Sequence, residues 1–137
     1  MENEIRKYIK DNNISNIKLM GYTNHIKVME LMKKAKALLF TSVVYEAFPM
    51  TIIEAFSQGL PVISSDIGNG AQLIEDGKTG IKYKYGNKES LLEAINKISK
   101  LNLKENVIRE YKNKYTDEKN YKLLFEIYND IYMEKRK

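Results

Sequence analysis

Apolar runs bounded by turn residues alternate with helical patterns along this chain. Four short runs read as strands: residues 17–20 (IKLM), 37–41 (ALLFT), 61–65 (PVISS) and 81–85 (IKYKY). Two of these are short continuous apolar segments, as expected when both faces of a sheet are covered. The fourth alternates and is expected at a sheet edge.

Helical patterns fill the intervals. Residues 1–12 place Ile5, Tyr8 and Ile9 on one face, and residues 24–34 open with Asn24 as a candidate cap before Val28, Met29, Leu31 and Met32. Residues 49–58 put Pro49 at the first helical position and Gly59 just past the end, the usual asymmetry of helix termini. Residues 70–75 predict a short helix, followed by the turn EDGKTG. Residues 88–100 and 105–114 predict two more. Asp117 is the candidate cap of a last helix, with Tyr121, Leu124, Phe125, Tyr128, Ile131 and Tyr132 on its inner stripe.

Alternation of strand and helix calls for a parallel sheet with helices on both faces. With right-handed crossovers, this predicts a Rossmann-like three-layer α/β domain with about four strands. Two C-terminal helices are expected to close it by wrapping back over the domain. The chain shows no internal repeat, low-complexity tract or linker, and 137 residues suit one domain.

Composition narrows the picture. At 43% hydrophobic residues the chain can bury a core, which argues against disorder over most of its length. Cysteine is absent, so disulfides and thiolate metal sites are excluded and a reducing, cytoplasmic setting is expected. No apolar run approaches the ~20 residues that span a bilayer. The formal charge of +5 is scattered. Only Lys135, Arg136 and Lys137 form a basic run, which suits peripheral contact with an anionic membrane face or a solvated end. No nucleic-acid partner is expected.

Candidate chemistry concentrates in residues 40–66, FTSVVYEAFPMTIIEAFSQGLPVISSD. In open parallel sheets, ligands bind outside the carboxyl ends of strands, and the loop 42–48 is at such an end. It leads into a helix with no Ser, Thr, Asp or Asn immediately before Pro49, so an anion could satisfy the first free amides. At 100° per residue, Thr51, Glu54 and Gln58 share a stripe about 60° wide, and nearly everything else on that helix is apolar. Glu54, an acceptor-only group, suits paired hydroxyls such as a ribose diol, and Glu46 in the loop could accept from another polyol. The residues alone also allow a simpler reading. In it Glu46 offsets the helix dipole, worth about 0.3–1 kcal/mol, and Glu54 faces water. His25, the only histidine, belongs to the first turn of its helix, with a general base as the lesser reading.

The run EAFPMTIIEA followed by GLPVISS resembles the E-x7-E donor-site signature of retaining, GT-B-fold glycosyltransferases of family 4, the glycosyl transferases group 1. The likeness extends through IKLMGY, KKAKALLFTS, GNGAQLIEDGKTGIKYKYGNKESLLEAI and YKNKYTDEKNYKLLFEIY, and so covers nearly the whole chain. The resemblance implies a catalytic-site position for Glu46, hydrogen-bonded to the donor sugar's hydroxyls. Phe48, Pro49, Met50 and Thr51 would present their backbone to the sugar and diphosphate, with Ala47 beside them. Glu54 would hold the ribose hydroxyls, and Tyr22, after Gly21, would lie near the base. The donor would be a nucleotide diphosphate sugar, with no metal ion required and with retention of anomeric configuration.

The same resemblance marks departures. The acceptor-binding domain and the donor domain's first strands, with the GR…K basic pair that grips the diphosphate, have no counterpart in this sequence. Arg6 or Lys7 would have to substitute. Gln72 stands where relatives often carry glutamate. The expected function is therefore the nucleotide-sugar-binding part of a hexosyltransferase acting on a glycan or lipid-linked acceptor, inactive alone and completed by a separate N-terminal half. The alternatives are a non-catalytic nucleotide-sugar-binding module and an inactive remnant of such an enzyme.

Overall fold

Three strands, β1 (Leu38–Phe40), β2 (Val62–Ser65) and β3 (Gly80–Tyr83), form one parallel sheet in the order β1-β2-β3. The computed structural model describes residues 2–43 and 47–134. The register pairs Leu38 with Val62 and Ile63 with Ile81. All four residues of β2 are buried, and successive strand residues point to opposite faces, so both sides of the central strand are covered. β3 alternates and lies at the edge, as its sequence pattern predicts.

The helices around the sheet are α1 (Glu2–Asp11), α2 (His25–Lys34), α3 (Met50–Ser57), α4 (Gly68–Leu73), α5 (Lys88–Ser99), α6 (Lys104–Lys114) and α7 (Asp117–Glu134). Their bounds follow the predicted ones within a residue or two. Pro49 occupies the cap position rather than the first helical turn, because α3 begins at Met50. The last helix is capped not by Asp117, which is already helical, but by Thr116, whose Oγ1 accepts from the Lys119 amide at 3.3 Å.

α3 sits at the centre of the core. Ile52, Ile53, Ala55 and Phe56 are buried, and Ile52 and Phe56 are completely so. Each such side chain is worth about 1.5–3 kcal/mol relative to exposure. α3 ends in a Schellman motif: the Gly59 amide donates to the Phe56 carbonyl and the Leu60 amide to the Ala55 carbonyl, both at 2.9 Å. Gly59 takes a φ of +69°, which permits that reversal and brings the chain against Lys104 and Ile108 of α6. A second close approach occurs at Gly80, where a Cβ would lie 1.9 Å from the Val62 carbonyl oxygen. Only glycine fits there.

Two expectations need correction. The run at residues 17–20 is not a strand: the sheet has three strands, and Ile17 and Met20 are 51% and 44% exposed. An apolar tetrapeptide becomes a strand only when a neighbour offers its ladder groups, and here none of the three strands pairs with it. The second correction concerns the tail. α6 packs on α3 through Val107, but α7 has no buried residue, and Leu124, Phe125, Tyr128, Ile131 and Tyr132 stay exposed. The predicted stripe exists on one helix face, but no surface of the described chain covers it.

Candidate functional site

The loops leaving β1 and β2 emerge side by side at the carboxyl end of the sheet. Ala47, Phe48 and Pro49 from the first loop face Asn69, Gln72 and Leu73 of α4 across a crevice of about 250 Å³. This is where a parallel α/β sheet holds a ligand. The two loops are tied to each other, because the Ser65 hydroxyl lies 3.4 Å from the Ser42 carbonyl. Gln72 lines the crevice and is exposed, so its amide can both donate and accept there.

The start of α3 has no side-chain cap, and the Ile52 amide turns back to the Pro49 carbonyl at 3.0 Å. The backbone group expected at Pro49 cannot donate, since proline has no amide hydrogen. Any donation from this stretch falls to Phe48, Met50 and Thr51. Phe48 is half-exposed and its ring lies 6.3 Å from that of Tyr115, which anchors the loop against the α6–α7 junction. A larger apolar crevice of about 480 Å³ lies on that side, between Phe48, Met50 and Ile53 and the residues Lys114, Tyr115 and Leu123. Lys114 is engaged by Glu110 at 2.6 Å, and that hydrogen bond, with the carboxylate's charge, raises its pKa. Burial, followed by the field of Glu110, likewise raises the Tyr115 phenol.

The stripe read from the helix wheel is present. Thr51 is exposed, Glu54 and Gln58 are partly exposed, and the rest of α3 from Ile52 to Phe56 is buried. Glu54 has a partner that the sequence does not announce. Its Oε1 lies 3.1 Å from Nε2 of His25, the first residue of α2, 29 positions earlier. The pair bridges two helices, and the Glu54 side chain keeps 29% of its surface open. A signal was available: the lone histidine follows the GYTN loop directly, so any fold that brings that loop to α3 brings the imidazole with it.

The remaining expected residues are less gathered. Tyr22 is fully exposed on the loop before α2. Glu46 lies outside the described residues, as does the basic run 135–137. Arg6, a candidate for the diphosphate, is bound instead to Glu2 on its own helix at 2.6 Å, and α1 has no buried residue. Among the described residues lining the smaller crevice there is no lysine or arginine. Among the described residues, no group of three or more His, Cys, Asp or Glu converges in a way that could hold a metal ion, and no helix is long and apolar enough to cross a membrane.

Comparison with known proteins places this architecture. The chain is 31% identical over 97 residues to an uncharacterized glycosyltransferase of Methanocaldococcus jannaschii, an overlap that spans 68% of this chain and 27% of that protein. It is 39% identical over 72 residues to the lipopolysaccharide 1,6-galactosyltransferase of Salmonella typhimurium, covering 52% of this chain and 20% of that one. The fold matches HepE of Anabaena, solved in complex with UDP and glucose, with a TM-score of 0.78 at 22% identity, over 93% of this chain and 36% of that one. The chain thus spans about a third or less of the length of the relatives it matches. The description "Glycosyl transferases group 1" fits residues 1–115, most of the chain. The chain belongs to the glycosyl transferases group 1 family, as a fragment of a GT-B glycosyltransferase.

Proposed function

We propose that this chain is the nucleotide-sugar-binding part of a retaining glycosyltransferase, which moves a hexosyl group from a nucleotide diphosphate sugar to a glycan or lipid-linked acceptor. The observation that carries the reading is Glu54. It is the only acidic side chain on α3, whose Ile52, Ile53, Ala55 and Phe56 are buried, and its carboxylate meets His25 at the start of the helix that follows the Tyr22 loop. In this reading Glu54 accepts hydrogen bonds from the ribose diol, while Glu46, eight positions earlier, takes the sugar's hydroxyls at the reacting end. Amides of Phe48, Met50 and Thr51 meet the sugar and diphosphate at the open start of α3. Tyr22 stacks near the base. UDP in the Anabaena relative and galactosyl transfer in the Salmonella relative support this choice of substrate class. No metal ion has a part in it, and the setting is cytoplasmic, at the inner membrane face where lipid-linked acceptors reside.

Electrostatics limits what the chain does alone. A helix start offers about half a positive charge against roughly two negative charges on a nucleotide-sugar diphosphate. With no basic side chain among the described crevice residues, the leaving group is left with weak stabilisation. Weak binding without turnover is therefore expected until a separate acceptor-binding half joins. The same observation favours the second reading, a module that binds the donor without transferring it.

Calorimetric titration with UDP, GDP and their sugars tests the site. Wild type should bind at least one of them in the millimolar range, and Glu54→Ala should weaken that binding about tenfold, the worth of a hydrogen bond to a charged group. No binding at millimolar concentration, together with a silent Glu54→Ala, removes the donor-site reading. Turnover on mixing with an acceptor-binding half separates the transferase from the non-catalytic module.

A further inference from the structure

We propose that His25 is a positioning residue of the donor site, orienting the Glu54 carboxylate toward the nucleotide's ribose; this rests on the donor-site reading above. The geometry is specific. His25 Nε2 lies 3.1 Å from Glu54 Oε1, between the first residue of α2 and the middle of α3. Both backbones are held. The Asn24 side chain accepts from the Lys27 amide at 2.9 Å, which caps α2 and sets where His25 starts. α3 is fixed by its buried face and its Schellman end.

Between two fixed helices, the imidazole decides which rotamer the glutamate keeps. A carboxylate only accepts, so the contact requires the hydrogen on Nε2. One of the four lone-pair sites on Glu54 is then used. The others, including both on Oε2, stay available for a pair of hydroxyls. Without His25, a side chain with three rotatable bonds and 29% of its surface open would sample several orientations, few of them suited to a diol. The contact also fastens the loop bearing the fully exposed Tyr22 to the helix bearing Glu54, so the base and ribose ends of the site share one anchor.

A purely structural contact would behave differently, and the ligand's own hydroxyl separates the two. The probes are UDP and 2′-deoxy-UDP, titrated against the full chain and its variants. Wild type should prefer UDP. His25→Ala should lower UDP affinity by about two- to fivefold, the range of an exposed side-chain contact, and leave 2′-deoxy-UDP nearly unchanged, so that the preference shrinks. His25→Gln, whose amide nitrogen reaches the same place, should restore it. His25 is the only histidine, so its imidazole nitrogen signals in NMR are unambiguous. They should move on adding UDP to wild type and stay still in Glu54→Ala.

Glu54-dependent UDP binding with an unchanged UDP preference in His25→Ala overturns the assignment while leaving the donor site standing. Equal losses for both nucleotides do the same, since they indicate general loosening. Failure of wild type to bind UDP at millimolar concentration overturns the donor-site reading and this assignment with it.

Discussion

Replacing Gly59 with alanine tests how the helix that carries Glu54 is held. At a φ of +69°, a Cβ would stand 2.9 Å from Lys104 Cγ and 3.0 Å from two atoms of Ile108. The left-handed backbone costs a residue with a Cβ about 1–2 kcal/mol. The lysine stem can swing aside, but Ile108 is half-buried at the α3–α6 contact, and displacing it adds about 1–2 kcal/mol. The expected loss is therefore about 2–4 kcal/mol. Gly86→Ala is the control, because Gly86 has a φ of +72° with no atom within 4 Å of the added carbon. It should show the backbone cost alone.

Urea unfolding followed by far-ultraviolet circular dichroism reads both variants. At a slope of about 1.5 kcal/mol per molar urea, the Gly59→Ala midpoint should fall by about 1.3–2.7 M and the Gly86→Ala midpoint by about 1 M. Equal falls would refute the steric half of the reasoning. A loss below about 1 kcal/mol at Gly59 would refute the backbone half as well.

Asn24→Ala should destabilise the chain by about 1 kcal/mol, measured in the same unfolding experiment, because it removes the side-chain acceptor for the Lys27 amide. Of the ten tyrosines, Tyr83 and Tyr115 should ionise last in an ultraviolet phenolate titration, since burial raises both from the ordinary value of 10.0. For Tyr83 the neighbouring Asp66 adds to that rise, and for Tyr115 Glu110 does. The fold favours the neutral phenols, so their contribution is complete below the unfolded value and is lost as pH rises through the folded ones. Tyr115→Phe should remove one equivalent from the late phase.

Much of the fold was legible because it rests on local rules. Asn24 caps α2, Gly59 ends α3, and the alternation of 81–85 marks an edge strand; each depends on a few neighbouring residues and on no distant partner. The stripe of Thr51, Glu54 and Gln58 was equally readable, because a helix of known period with one polar side can face the core only one way. The E-x7-E spacing of Glu46 and Glu54 was legible for the same reason. Spacing along one loop and one helix is a property of the chain itself.

What escaped the sequence involves groups far apart in it. Residues 17–20 carry a strand's composition, yet a ladder needs a second strand, and whether one is within reach is not written in IKLM. The apolar stripe of α7 has the right period for burial, but period does not say whether a surface exists to receive it. The pairing of His25 with Glu54 spans 29 residues and depends on how α2 is set down against α3. Local chemistry thus specified most of the elements and the polar stripe that carries Glu54. Packing chose which groups meet, because contacts between helices arise from shape and burial over the whole core.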